Sequence, residues 1–114
     1  MKEYKTGANR NNTEGKLDFD GFMCPLVMQR FGEYMDKNRH LEIGELRESD
    51  NWQKGIDLAD YMKSGFRHFH DWWMEHRDYE SRKGIEEALC GLIFNANGYL
   101  HEVLKAKKKK NGRK

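Results

Sequence analysis

The sequence predicts an all-α fold: a small helical bundle of three main helices plus a short helical turn, in a domain that self-associates. Three observations lead there. Apolar residues recur at three- and four-residue spacing in three separate stretches, the mark of amphipathic helices. No stretch alternates apolar and polar residues as a half-buried strand does. Finally, the chain has 114 residues, of which only 37% are hydrophobic and 35% charged. That composition supports one modest core, and association with a second copy would enlarge it.

Along the chain, residues 1–14 are rich in Lys, Asn, Gly and Thr and read as a flexible N-terminal segment. The single helical domain follows over residues 15–104. "GKLDFDGF" (15–22) reads as an extended lead-in. A first helix is expected from Pro25 to Lys37, because proline suits a first helical turn whose N–H groups lack partners. Val27, Met28, Phe31, Tyr34 and Met35 fall on one face of it. Residues 38–56 hold no sustained period. A short helical turn is expected around Glu42–Arg47, then a loop carrying Asn51 and Trp52, with Gly55 supplying an unusual backbone angle. The second helix runs to about Arg77. Asp57 is placed to cap it, and Asp60 complements the positive end of its dipole. Leu58, Tyr61, Met62, Gly65, Phe69, Trp72, Trp73 and His76 line one face. After the polar connection "DYESRKG" (78–84), the last helix is expected from Ile85 to Lys105. Its main stripe is Ile85, Ala88, Leu89, Leu92, Ala96, Tyr99, Leu100 and Val103. A second stripe carries Glu87, Cys90, Phe94 and His101, which suits a helix that is central in its bundle or shared with a partner.

The formal charge of +2 conceals an asymmetry. Residues 105–114 carry seven basic groups and no acidic one, which leaves the body with a formal charge of −5. An acidic body is not a domain-wide nucleic-acid footprint. The Lys105–Lys114 segment reads as a basic disordered tail with, at most, weak nucleic-acid contact. Cys24 and Cys90 lack CxxC spacing and behave as small hydrophobes in a reducing setting. No apolar run reaches the roughly 20 residues of a membrane span, and the N-terminus has no apolar signal region. The expected location is cytoplasmic.

"FRHFHDWW" (66–73) is the first candidate for chemistry. His68 and His70 lie roughly 160° apart on a helix, so they cannot easily chelate one ion. His68 and Asp71, three apart, can pair; Phe69, Trp72 and Trp73 read as core and His70 as a border residue. Arg67 is either solvated or a phosphate clamp, since its fork matches phosphate oxygens. Glu33/Asp36, Glu45/Glu48 and Glu86/Glu87 are carboxylate pairs. Two such pairs on facing helices make the oxygen-lined site that Mg²⁺ prefers, and in a chain with 19 acidic residues such pairs also arise as solvated faces. Trp52 in a polar loop either plugs the bundle end or stacks on a ligand base. There is no Walker loop, GxGxxG, nucleophile elbow or zinc-type spacing.

Taken in order, "GKLDFD", "PLVM", "DNWQKGI", "YMKSGFRHFHDWW", "DYES" and "EEALCGLIFNANGYLHE" resemble a known family. It comprises small phage and bacterial proteins named for the N-terminal domain of dATP/dGTP diphosphohydrolases, placed near the MazG-type all-α nucleotide pyrophosphohydrolases. The likeness covers Gly15 to Leu104. It implies an Mg²⁺- or Mn²⁺-dependent enzyme that converts purine dNTPs to dNMP and pyrophosphate, in the host cytoplasm if phage-encoded. Under that resemblance Glu45, Glu48 and Glu87 are the metal candidates, and His68, Arg67 and Glu87 the catalytic ones. Asn51, Trp52, Lys54 and Arg67 are the nucleotide-binding candidates. The chain departs from the pattern where Cys90 follows Glu87 in place of an aspartate, where "LRE" precedes the Asn-Trp loop, and where Glu86 and Glu87 open the last helix in place of histidines. A non-enzymatic module, binding a protein or nucleic acid through helix faces and the basic tail, is the alternative.

Overall fold

Four helices, three of them long, account for most of the chain in the computed structural model, and the all-α class holds. It describes residues 2–12 and 14–111. The N-terminal segment begins with a small antiparallel hairpin, β1 (Lys2–Glu3) and β2 (Asn9–Arg10), with Lys2 opposite Arg10 and Glu3 opposite Asn9. No strand pattern announces it, because the hairpin is exposed on both sides and buries nothing. The expected extended lead-in contains a short helix, α1 (Phe19–Phe22), whose N-cap Asp18 side chain accepts a bond from the Gly21 N–H at 3.0 Å.

α2 (Pro25–Lys37) has the expected bounds, with proline in its first turn. Of its apolar face, Phe31, Tyr34 and Met35 are half-buried, whereas Val27 and Met28 are exposed. The expected helical turn at Glu42–Arg47 is absent. That segment is a tight loop closed by a bridge between His40 and Leu46. Leu41 N–H donates to the Glu45 carbonyl at 2.8 Å, and Arg47 N–H to the Arg39 carbonyl at 2.9 Å. Gly44, at φ 85°, takes the left-handed conformation that reverses the chain and stops a helix. Asn51–Lys54 then forms one 3₁₀ turn, ended by Gly55 at φ 133°, as its position suggests.

α3 (Leu58–His76) follows Asp57, which holds the N-cap position but makes no side-chain cap bond. Its carbonyl instead accepts from the Asp60 and Tyr61 N–H groups at 3.0 and 3.3 Å. α4 (Ile85–Asn111) runs beyond the expected end at Lys105. Lysine is a good helix former, and cations suit a helix C-terminus, so residues 105–111 prolong the helix instead of forming a disordered tail. Residues 112–114 lie outside the described residues.

The packing centre is the α3–α4 antiparallel pair. Gly91 lies directly beneath the His68 ring and Gly98 beneath Tyr61: a Cβ at either glycine would sit 2.3 Å from ring atoms. Between them, buried Asn95 donates from Nδ2 to the Gly91 carbonyl (2.7 Å) and to Ser64 Oγ (3.1 Å). Small and polar residues therefore form the seam and let the axes approach closely. The large apolar side chains expected as core do not: Phe69, Trp72 and Trp73 are exposed, as are Ile85, Leu100 and Val103. They flank the seam on its outer side, where none of the described residues covers them.

Three glycine substitutions, two in the seam and one outside it, test this packing. Gly91→Ala and Gly98→Ala should each destabilise by about 1–3 kcal/mol, because an added methyl meets a packed ring. Gly32→Ala, on α2 with nothing within 4 Å of the new Cβ, should stabilise by about 0.5–1 kcal/mol through helix propensity alone. Urea unfolding of the three variants checks both signs.

Candidate functional site

The Asn38–Asp50 loop folds back over the C-terminal half of α2, and the 3₁₀ turn docks on α4. Trp52 packs edge-on against Phe94 (6.0 Å between ring centres) and His101 (4.9 Å). Lys105 fastens the same turn, donating to the Gln53 carbonyl at 3.2 Å while paired with Glu102 at 3.1 Å. Trp52 therefore does plug the bundle end, and its edge also borders an opening. Between the loop, the turn, α3 and α4 lies a cleft of about 430 Å³.

Four residues singled out in the sequence meet at this cleft: Glu48, Asn51, Trp52 and His68. Arg39 and Arg47 bring cationic groups to its wall. Arg39 is braced, donating from Nε to the Arg47 carbonyl at 2.8 Å and from Nη1 to Asp36 Oδ1 at 3.1 Å. No side-chain hydrogen bond or ion pair occupies the Arg47 guanidinium among the described residues, so its fork is open to an anion.

A smaller recess of about 100 Å³ adjoins the cleft at Tyr34, Asn38 and His68. Lys37, Arg82, Lys83 and Glu87 line it. Arg82 donates from Nε and Nη2 to Asp71 Oδ2 at 2.8 and 2.6 Å. These bonds hold the Asp71 carboxyl below the usual carboxylate range. The His68–Asp71 pairing allowed by spacing does not form, because Asp71 gives its oxygen to Arg82. Burial pushes the His68 imidazole below its ordinary pKa, and the nearby Arg82, Arg67 and Lys83 charges push the same way. At neutral pH His68 is therefore an uncharged ring, able to accept a proton at the junction of cleft and recess.

The remaining candidates are elsewhere. Glu45 is exposed on the outside of the loop and Lys54 on the far side of the 3₁₀ turn; neither lines the cleft. Arg67 is exposed beside a different groove, with His70 and Glu80. Glu87 faces the recess, where Lys37 pairs with it and Arg30 Nη2 lies 4.0 Å away, while Glu86 takes Arg30 Nε at 2.6 Å. Glu45, Glu48 and Glu87 thus do not converge. No group of three or more His, Cys, Asp or Glu side chains is placed to hold a metal among the described residues. The expected Mg²⁺ or Mn²⁺ set does not fit: Glu87 is neutralised by lysine, Glu45 points outward, and Glu48 lines the cleft with Asp36, which Arg39 holds.

Sequence reading missed Arg39, Arg47, Arg82 and Lys83. All four lie in segments without periodicity, where charge reads as solvated surface. Only the loop closure at His40–Leu46 and the turn before α4 bring them inward. No protein-family model matches the chain, and no curated protein or solved structure matches it.

The electrostatics here give a signed prediction. The lowered His68 pKa means the unfolded chain binds that proton more readily, so stability should fall as pH drops below about 6.5. The depressed Asp71 adds a second loss at lower pH, as its carboxylate is protonated through its folded pKa. In Arg82→Ala the His68 titration, followed by imidazole proton shifts, should move upward. No movement would separate His68 from the Arg82 field.

Proposed function

We propose that the cleft binds a nucleoside triphosphate, and that the activity exercised there is pyrophosphate-releasing hydrolysis of a purine dNTP. One observation carries the reading. Residues drawn from a loop, a 3₁₀ turn and α3, singled out for separate chemical reasons, share one opening of about 430 Å³. That volume lies within the roughly 300–1,000 Å³ of small-molecule sites. Trp52 and Phe94 offer aromatic surface to a base, and Arg47 and Arg39 offer forks to phosphate oxygens. Asn51 offers an amide for a base edge. Neutral His68 is the group suited to take the proton of an attacking water. In that reaction water adds to the α-phosphorus, the bond from it to the bridging oxygen breaks, and pyrophosphate leaves with the electron pair.

Tryptophan quenching on titration with dGTP, dATP and the other nucleotides tests binding, and pyrophosphate release with and without Mg²⁺ or Mn²⁺ tests turnover. Arg47→Ala should weaken binding about tenfold or more, the scale of one charge-assisted contact. His68→Gln should lose turnover while retaining binding. Failure of every nucleotide to bind would sink the proposal.

A second reading is favoured by α4. Its end carries Lys105 and Lys107 to Lys110 on a helix rather than a loose tail, so a non-enzymatic module could lay basic charge along nucleic acid. Truncation after Ala106 spares the Lys105 anchor. It should abolish salt-sensitive nucleic-acid binding under this reading and leave nucleotide binding in the cleft unchanged under the first.

A further inference from the structure

Residues 39–56 wall one side of the cleft, and they are knit mainly to themselves. Leu41 N–H donates to the Glu45 carbonyl, Arg47 N–H to the Arg39 carbonyl, Asn51 N–H to the Glu48 carbonyl and Gln53 N–H to the Asp50 carbonyl, all at 2.8–3.0 Å. Ties to the rest of the molecule are few. Asp36 holds Arg39 at the end of α2. Of the helices, the 3₁₀ turn packs on α4 alone. Among the described residues, a single hydrogen bond joins this segment to α3 or α4: Lys105 Nζ to the Gln53 carbonyl, at 3.2 Å. A segment bonded within itself and fastened at one point opens as a unit, by losing that point and keeping its own bonds.

The backbone where the segment meets α3 suits a hinge. Gly55 has φ 133°, a conformation that a side chain opposes. A Cβ there would meet nothing within 4 Å, so the glycine serves the backbone angle and no close contact. Hinges are residues of this kind, at element ends, that absorb a change of backbone angles.

The groups that the turn covers weigh against its closure. Trp52 rests on His101 and Phe94, and Phe94 on Tyr61 at 5.9 Å between ring centres. His101 Nε2 and Tyr61 Oη are buried there without a hydrogen-bond partner among the described residues. A buried polar group left unmet opposes the arrangement that buries it, and lifting Trp52 lets water reach His101. Lys105 works in the other direction. Glu102, whose side chain is only 18% exposed, holds the lysine ammonium at 3.1 Å. The lysine thus meets the Gln53 carbonyl with its side chain already oriented.

We infer that residues 39–56 form a hinged flap over the cleft, and that Lys105 is the latch that sets how often it opens. Opening carries Arg47, Asn51 and Trp52 away from Ser64, His68 and Asn95, which stay on the α3–α4 pair. The cleft is then assembled by closure. Lys105 does not line it; it is a positioning residue that acts through the 3₁₀ turn and Trp52. The flap stands on contacts within the chain. Only its control of nucleotide entry rests on the cleft being a nucleotide site.

Fluorine NMR on the full chain labelled with fluorotryptophan tests this, with the Trp52 signal assigned through Trp52→Phe. Relaxation dispersion should show exchange at Trp52 and none at Trp72 and Trp73, which lie on α3 outside the flap. Lys105→Met should raise the open population about tenfold, the effect of losing one charge-assisted bond. Lys105→Arg keeps a donor and should restore the closed population. Lys108→Met, farther along the same helix, should change nothing. The Lys105 side chain is 44% exposed, so the variants should keep their helical circular dichroism. With dGTP as the probe, Lys105→Met should raise the association and dissociation rates together and leave Kd nearly unchanged, because the latch is made in both the free and the bound closed forms. A nucleotide contact would change Kd. If no nucleotide binds, the cleft reading alone is rejected and the fluorine result decides the flap. A Trp52 signal unmoved by Lys105→Met overturns the inference. So does an equal response to Lys108→Met, or exchange shared by Trp72 and Trp73, which marks motion of the whole helix pair.

Discussion

Everything in this structure depends on how closely α3 and α4 approach. At Gly91 and Gly98 the α4 backbone itself is the packing surface, and His68 and Tyr61 lie flat against it. Asn95 converts the remaining space into two hydrogen bonds. An aliphatic residue there would fill the volume but would leave Ser64 without that donor. The contact fixes His68 in place, and through His68 it fixes the boundary between cleft and recess. The same residue is thus part of the packing and part of the candidate chemistry.

A seam of small and polar residues has a consequence for the rest of the chain. Apolar side chains normally stabilise a helix pair by leaving water, at about 25 cal/mol per Å². Here the buried hydrophobic positions of the described residues are few: Tyr61, Ala88 and Cys90. Burial within one chain is therefore a weak stabiliser. The Arg30–Glu86 pair sits near the surface, where ion pairs are worth little, and among the described residues only the Arg82–Asp71 pair has its carboxylate buried. A fold with so little internal burial leaves most of its large apolar side chains outside.

The helices were legible because their periodicity is strong. α2 begins and ends where proline and the run of polar residues after Met35 place it. What periodicity could not show was which side of α3 and α4 faces inward. Phe69, Trp72 and Trp73 outweigh Ser64, His68 and Asp71 on any hydropathy count, yet the latter group lies toward α4 and the former toward solvent. The reason is geometric. Glycines at 91 and 98 carry no hydrophobic signal, but seven residues apart they mark one line along a helix where a neighbour can come closest. The candidate site divides in the same way. Asn51, Trp52 and His68 stood out by type, whereas Arg39 and Arg47 gain meaning only from the backbone bonds that close their loop.

The departures from the resembling family's pattern acquire a physical sense in this arrangement. Cys90, in the position where a second carboxylate is expected, is buried, and burial pushes its thiol pKa up. An aspartate in that environment would meet the same desolvation with only partial help from Arg30 and Lys37. Those two cations are already committed to Glu86 and Glu87. The α2–α4 contact is therefore held by charge pairs, with the carboxylates of α4 neutralised from α2. A carboxylate bound to lysine and arginine serves as a structural tie and cannot at the same time be the open ligand that a divalent cation requires. The cleft's own polar and aromatic groups, its arginines, the Asn51 amide and the Trp52 indole, lie on the other side of His68 from this tie.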